Sequence, residues 1–166
     1  MQLLPLDVIA TWPAANYTHP EEVRGPAILV ITLIFVPLLV ILVALRTYTR
    51  LRLSKNFGAD DTAIVAAVFP TVGCAVLSLL AVLYYGWSRH VYDVPADQLV
   101  LGLKIGMAVE VLFSIGCSLT KISMLLLILR VLAGTQDALR QLSISVMVVV
   151  FLEMIIFSIV VINTCR

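Results

Sequence analysis

The chain has 166 residues, of which 61% are hydrophobic and only 13% are charged, whereas soluble domains carry about 25% charged residues. Its formal net charge of +1 excludes a strongly basic protein built to bind nucleic acid. A mean hydropathy of +1.09 indicates a protein that lies in the lipid bilayer.

Four long apolar runs follow one another along the chain, at about 27–45, 62–85, 105–129 and 144–163. A membrane-spanning helix needs about 20 predominantly apolar residues. We therefore predict an all-α, polytopic bundle of four transmembrane helices forming one domain over 27–166. A short polar tail over 1–26 precedes it. This tail lacks the basic start of a cleaved signal peptide and carries an acid at Asp7, so we do not interpret it as one.

The distribution of Lys and Arg among the connecting loops predicts the orientation of these helices. The densest positive charge lies in the first and third connections, at Arg46, Arg50, Arg52, Lys55, Arg130 and Arg140. Positively charged loops stay in the cytoplasm. We therefore predict that both connections are cytoplasmic and that the N-terminal tail is outside.

The tail contains Asn16-Tyr17-Thr18, which has the pattern of an N-glycosylation acceptor. An outside location would make Asn16 available for modification. The alternative is that the triplet occurs by chance.

The first connection combines a basic cluster with two acids. The cluster over 46–55 would face anionic cytoplasmic lipid, so we interpret it as fixing topology and anchoring the loop; docking of a cytoplasmic signalling partner is the alternative. Asp60 and Asp61 precede the second apolar run, where carboxylates cap free N–H groups and complement the helix dipole. Partner binding is again the alternative interpretation.

A compact polar group follows the second apolar run, formed by Arg89, His90 and Asp93. We expect a hydrogen-bond network that fixes this outer loop, with a pH-sensitive contact as the alternative because His titrates near pH 6.5. The chain contains only two histidines, and we identify neither a metal site nor a nucleophile–base pair. We therefore expect a protein that is not an enzyme and has no cofactor.

The third run carries polar residues at helical spacing, which form one stripe: Glu110, Ser114, Cys117, Ser118 and Lys121. Lipid does not tolerate Glu and Lys on such a face, so we predict that the stripe points into the bundle. Glu153 in the fourth run lies at a depth similar to that of Lys121, and we predict an intramembrane Lys121–Glu153 ion pair. The alternatives are that each residue is satisfied separately, or that both serve transport.

Cys165 follows the fourth run, where it would emerge on the outer face. Disulfides form in that compartment. Its partner would then lie in residues beyond this sequence or in another molecule.

Several short motifs occur in order along the chain. Arg46-Thr47-Tyr48-Thr49-Arg50 precedes Gly58-Ala59-Asp60-Asp61. The second connection contains Gly86, Arg89, His90, Asp93 and Pro95. The third run ends with Lys121-Ile122-Ser123 and Leu129-Arg130-Val131, and the fourth ends with Asn163-Thr164-Cys165-Arg166. Together, from about 27 to 166, these motifs resemble the fungal rhodopsin-domain family of seven-helix membrane proteins.

The resemblance implies a receptor-like fold whose pattern continues for three more helices, so we expect this chain to hold its first four. It does not imply retinal, because a Schiff-base lysine would belong to a seventh helix and Lys121 lies in the third. We expect a plasma-membrane, receptor-like protein that senses an external cue. A transporter, or an accessory or structural membrane protein, is the alternative.

Overall fold

The computed structural model describes residues 11–13, 16–17, 26–132 and 137–164. Four α-helices account for most of them: α1 (Ala27–Tyr48), α2 (Ala59–Tyr84), α3 (Ala96–Val131) and α4 (Asp137–Thr164). A π-helical turn, Thr49–Leu53, extends α1, and a short 3₁₀ turn, Val91–Asp93, precedes α3. The described residues contain no strand, and all four helices are long and apolar enough to cross a membrane. The prediction of an all-α bundle with four such helices is confirmed.

Local chemistry explains where the helices begin and end. The carbonyl of Pro26 accepts the Val30 N–H at 2.9 Å and so starts α1, and the carbonyl of Pro95 does the same for Leu99 at the start of α3. Gly58 precedes α2, and Gly86, whose φ is +69°, follows it. A positive φ of this size favours glycine because the residue has no Cβ.

The third and fourth helices are longer than their apolar runs. α3 begins at Ala96 rather than near 105, and α4 begins at Asp137 rather than near 144. The added turns carry polar residues such as Asp97 and Arg140, so they fall outside the apolar runs from which the helices were predicted. Polar residues are nevertheless compatible with a helix that continues beyond the hydrocarbon layer. At 36 residues and about 1.5 Å per residue, α3 is longer than the lipid core is thick.

The helices pack mainly in chain order, and the contact between α2 and α3 is the most extensive. Small residues allow the close approach. A Cβ added at Gly116 would lie 2.9 Å from Thr71 Oγ1, and one at Gly73 would lie 3.4 Å from a methyl group of Leu112. Small interfacial residues are typical of helix packing in membranes, where backbones must come close for van der Waals contact.

Burial is the reverse of that in a soluble bundle. The buried apolar residues are few and mostly small, and the buried polar residues include Asp60, Asp61, Ser118 and Ser123. Large side chains such as Leu33, Phe35 and Phe69 are instead exposed. An apolar outer surface of this kind is suited to contact with lipid. Because few large apolar residues are buried between the helices, polar contacts hold the helices in register.

Candidate functional site

Two adjacent carboxylates lie at the start of α2 and are almost inaccessible, with Asp60 2% and Asp61 0% exposed. Asp61 Oδ2 accepts the Gly58 N–H at 3.3 Å, while the Asp61 N–H donates to the Gly58 carbonyl at 3.1 Å. Asp61 therefore makes the capping contact that its position suggests. The cap uses only one carboxylate oxygen of the two aspartates, Asp61 Oδ2. Arginine side chains contact the remaining oxygens.

Arg46, near the end of α1, bridges both aspartates. Its Nη2 lies 3.2 Å from Asp60 Oδ2 and its Nε lies 3.1 Å from Asp61 Oδ1. Arg50, in the π-helical turn, places Nε 3.7 Å from the same Asp61 oxygen. The planar guanidinium is suited to this task because its donors spread across two acceptors at once.

Arg130, at the far end of α3, completes the group. Its Nη1 lies 3.0 Å from Asp60 Oδ1 and 3.8 Å from Asp61 Oδ2. We call Arg46, Arg50, Asp60, Asp61 and Arg130 the arginine–aspartate cluster. It joins α1, α2 and α3 at one end of the bundle, which we call the basic end.

Neighbouring groups hold the cluster in place. Ser123, buried on α3, donates its hydroxyl to the Asp60 carbonyl at 2.7 Å, and Arg130 Nη2 donates to the Asn56 carbonyl at 2.7 Å. A Cβ at Gly58 would lie 2.6 Å from Asp60 Oδ1 and 2.8 Å from Arg130 Nη1. Position 58 requires glycine because there is no room for a Cβ. The backbone angle is not the reason, since a φ of −133° is accessible to any residue.

The charges of the cluster do not cancel. Three guanidinium groups meet two carboxylates, and each arginine side chain is about 30% exposed while the aspartates are covered. A buried carboxylate left without its partner would cost several kcal/mol in lost solvation. The arginines therefore stabilise the two acids and leave a net positive charge toward the outside of the basic end.

The outer-loop motif lies at the opposite end of the bundle. The loop turns at Gly86, whose carbonyl accepts the Arg89 N–H at 2.9 Å, and Val94 packs so closely that a Cβ on Gly86 would be 2.8 Å from its Cγ2. Asp93 is buried, and its Oδ1 accepts the backbone N–H of Asn16 at 2.9 Å. The motif thus ties a piece of the N-terminal tail to the loop.

Aromatic rings and the start of α3 complete this region. The rings of His90 and Tyr92 stack with centroids 5.1 Å apart and an interplanar angle of 3°. Trp87 lies against α3, where a Cβ on Gly106 would be 3.0 Å from Cζ2 of its ring. Pro95 directly precedes α3. Gly86, Arg89, His90, Asp93 and Pro95 therefore lie in one loop structure.

A cavity of about 490 Å³ lies beside this loop. Leu29 of α1, Leu83 of α2 and Gln98 of α3 are among its lining residues, and Arg89 and Asp93 contribute charged groups. Ligand pockets typically have volumes of about 300–1,000 Å³ and combine apolar walls with a few polar groups. The volume of this cavity lies in that range, and its lining mixes polar and apolar groups in similar measure.

The structure places Lys121 and Glu153 together, with Nζ 3.5 Å from Oε2. Their side chains are nevertheless 53% and 62% exposed. Of the predicted stripe, Ser118 is buried and Ser114 and Cys117 are half-buried, whereas Glu110 and Lys121 are exposed.

The four described helices thus cover only the middle of the stripe, and the inward orientation of Glu110 and Lys121 stays a prediction. Helical spacing gives the relative angles of residues on one helix, but it does not say where the neighbouring helices lie. Glu110 lines a groove of about 410 Å³ beside Trp87 and Val160.

Sequence reasoning missed the role of Arg130, which belongs to the arginine–aspartate cluster, and of Ser123, which supports the cluster. Arg130 entered as a loop charge and as part of the motif that ends the third run, but not as a partner of the aspartates, and the hydroxyl of Ser123 was not expected to contact Asp60. Their spacing of seven residues on one helix face was an available signal, since it places both side chains on the side of α3 that meets α2.

The remaining predictions concern single residues. Asn16 is exposed and Thr18 of its triplet lies outside the described residues, as does Cys165. Among the residues that the structure describes, no group of three or more His, Cys, Asp or Glu side chains could hold a metal ion.

Comparison with protein families gives one match. The family model described as Fungal rhodopsin domain matches residues 45–166, which contain the whole arginine–aspartate cluster, the outer-loop motif and the Lys121–Glu153 pair. Searches of curated proteins and of solved structures return no match.

Proposed function

Because this chain belongs to the fungal rhodopsin domain family and is a multi-pass membrane protein, we propose that it is receptor-like and senses an external cue. In this proposal it lies in the plasma membrane with its N-terminus outside. The outer-loop end binds the cue, and the basic end faces the cytoplasm. The role is signalling and not catalysis.

One observation supports this proposal above the others. The three helices that line the cavity at one end are the same three that the arginine–aspartate cluster joins at the other. Leu29 and Arg46 belong to α1, and Gln98 and Arg130 belong to α3. A small molecule in the cavity would change the spacing of helices whose other ends are held by charge pairs.

The geometry also gives a physical route for a signal. Helices are stiff, so a shift at the cavity is transmitted along their length to interfaces that have discrete arrangements. At the basic end, the two contacts at 3.7 Å and 3.8 Å to Asp61 are the longest of the cluster, and they would break first. A ligand drives such a change only by binding one arrangement better than the other.

Breaking those contacts would expose positive charge to the cytoplasm. Arg52 and Lys55 are already exposed there, whereas Arg46, Arg50 and Arg130 are engaged by the aspartates. In the resting state, therefore, only Arg52 and Lys55 of the basic cluster over 46–55 would be available to contact anionic lipid. An acidic signalling partner would bind the arginines only after release.

The proposal is tested first by ligand binding. The purified protein in lipid nanodiscs is screened by thermal unfolding against small amphiphiles with polar head groups. We expect some compounds to raise the Tm of the wild type, and to lose this effect on Arg89→Ala and Gln98→Ala. Asp97→Asn, on an exposed residue outside the cavity, is the matched control and should keep the full shift.

A second measurement asks whether binding reaches the basic end. Spin labels replace the exposed residues Tyr48 and Val131, at the ends of α1 and α3. A ligand found in the screen should change the distance between the labels. Ligands that stabilise the cavity variants as well as the wild type, or that leave this distance unchanged, would contradict a receptor role.

A transport or accessory role is the second candidate. It requires a continuous hydrated path along Glu110, Lys121 and Glu153, and its support is the groove beside Trp87 that Glu110 lines. Proton or ion flux in proteoliposomes that is abolished by Glu110→Gln would support transport.

A further inference from the structure

Part of the N-terminal tail is bound to the loop between α2 and α3. The backbone N–H of Asn16 donates to Asp93 Oδ1 at 2.9 Å. Nη1 of Arg89 donates to the Tyr17 carbonyl at 3.4 Å. Two successive tail residues are therefore held by two charged side chains of one short loop, although more than 70 positions separate them along the chain.

An aromatic contact adds to these bonds. The ring of Trp12 lies beside the ring of Tyr92, with centroids 6.2 Å apart and an interplanar angle of 50°. Tilted ring pairs at this separation attract each other. The tail thus follows the loop from its aromatic ring to its two charged groups. We call the described part of the tail, residues 11–13 and 16–17, the tail strap.

The two loop side chains that hold the tail strap also line the cavity of about 490 Å³. Asp93 is only 4% exposed, so its carboxylate has little contact with anything except the cavity and the strap. Pro26, where the tail meets α1, is another lining residue. The tail therefore meets the cavity at two places, directly at Pro26 and through the loop at 16–17.

The loop is held by bonds of its own, and the tail strap is not needed for them. The Arg89 N–H donates to the Gly86 carbonyl at 2.9 Å, and the Asp93 N–H donates to the His90 carbonyl at 3.0 Å. The bond between Arg89 and the Tyr17 carbonyl is longer and exposed. Segments held by contacts at the surface open at a lower free energy than packed elements. Release of the strap can therefore leave the loop in its present shape.

We propose that the tail strap is an autoinhibitory contact that closes the cavity. The head group of an entering molecule and the strap would use the same guanidinium and carboxylate, so each excludes the other. A site that is open for only a fraction of the time binds more weakly by that fraction. The inference rests on the proposed function in one respect, since it takes this cavity as the place where the cue binds.

A single backbone change tests the closure without any ligand. Asn16→Pro removes the N–H that Asp93 accepts. Asn16→Ala loses the same side chain and keeps the N–H, so it is the matched control. Ser88, a half-buried residue of the cavity wall, is replaced by cysteine in a chain whose own cysteines are serine. The rate at which this thiol reacts with a water-soluble sulfonated methanethiosulfonate is measured in nanodiscs.

We expect the reaction at position 88 to be at least about tenfold faster with Asn16→Pro than with Asn16→Ala, because hydrogen bonds to charged groups are worth about such a factor or more. Asp97→Cys provides the control thiol, since Asp97 is exposed at the start of α3 and does not line the cavity. Its rate should be the same in both backgrounds. Trp12→Ala should also speed the reaction at position 88, and Trp12→Phe, which keeps a ring, should do so less.

Equal rates at position 88 in the proline and alanine backgrounds would overturn the proposal. Equal acceleration at positions 88 and 97 would also overturn it, because it would indicate a general loosening of this end of the bundle. A compound that raises the Tm of the wild type should bind the Asn16→Pro chain more tightly than the Asn16→Ala chain, and weaker binding would make the strap part of the site and not its inhibitor. A screen that finds no such compound counts against the receptor role, whereas the thiol rates decide on the closure independently.

Discussion

Arg130 Nη1 lies 3.0 Å from Asp60 Oδ1, although the two residues are 70 positions apart in the chain. The contact links the last turn of α3 to the first turn of α2. Its donor is partly exposed and its acceptor is buried, so the bond lies at the boundary between the helix interface and the outside of the basic end. It makes the start of α2 depend on the position of α3.

Removing the charge of Asp60 should weaken the bundle. Asp60→Asn keeps the shape of the side chain but loses its charge-assisted bonds with Arg46 and Arg130. Because the arginines are about 30% exposed and can be partly hydrated, we expect a loss of about 2–3 kcal/mol in the free energy of unfolding, below the full cost of breaking a buried pair. Unfolding of the purified protein in detergent measures the change.

Asp97→Asn is the control for that experiment, since Asp97 is exposed in the first turn of α3. It removes an exposed charge that complements the helix dipole and should lower the free energy of unfolding by no more than about 1 kcal/mol. Equal effects of the two substitutions would contradict a structural role for the arginine–aspartate cluster.

The hydroxyl of Ser123 should contribute less to the free energy of unfolding than the charge of Asp60 does. Ser123→Ala removes the bond to the buried Asp60 carbonyl, and we expect a loss of about 1 kcal/mol. Ser145→Ala is matched to it, because the Ser145 hydroxyl is exposed and bonds only within its own helix, to the Gln141 carbonyl. A Ser123 variant as stable as the Ser145 variant would show that α2 and α3 hold together without this bond.

A methyl group at Gly58 should disrupt the arginine–aspartate cluster. Gly58→Ala places a Cβ within 2.6 Å of Asp60 Oδ1 and 2.8 Å of Arg130 Nη1, so these charged groups must move. We expect a loss of about 1–3 kcal/mol in the free energy of unfolding. The comparison is Gly102→Ala inside α3, whose Cβ would meet only ordinary contacts at 3.4 Å and which should gain about 0.5–1 kcal/mol from helix propensity. A Gly58 variant as stable as the wild type would contradict the tight packing.

Gly86→Ala should destabilise the outer loop for two separable reasons. The φ of +69° is strained for any residue with a Cβ, which costs about 1–2 kcal/mol. The new Cβ would also lie 2.8 Å from Val94 Cγ2. Combining it with Val94→Ala should remove the steric part and leave the backbone part, so a double-mutant cycle in thermal unfolding should show coupling. Purely additive effects would contradict the steric contact.

The apolar runs predicted the number and order of the helices because each helix must satisfy its own backbone in lipid and present an apolar surface there. Depth arguments brought Lys121 and Glu153 to the same level, and the structure places them in contact. Hydropathy could not locate the ends of α3 and α4, since their outer turns are polar. It also could not show on which side of α3 the neighbouring helices lie, so the exposure of Glu110 and Lys121 was not foreseen.

The arginine–aspartate cluster was only partly accessible to sequence reasoning. Capping was predicted for both Asp60 and Asp61, and Asp61 makes the capping bond, since capping is a local property that four or five residues determine. The bond from Arg130 depends on how α2 and α3 cross, which no local pattern specifies. The sequence placed Gly58 in the loop motif but gave no reason for a glycine at this position. The reason is the guanidinium of Arg130, which packs beside Gly58 in the folded structure.

The ring of Trp87 against Gly106 gives the protein a natural optical signal. The chain has two tryptophans, and Trp12 is the other, so Trp12→Phe leaves emission from a single indole. That indole sits where the loop after α2 meets α3, with a Cβ on Gly106 only 3.0 Å from its ring. Trp87 is 41% exposed, so a change in the contact between the loop and α3 would change the polarity around the ring and shift its emission. Movements at the end of the bundle opposite the basic end can thus be followed in the membrane without an attached dye.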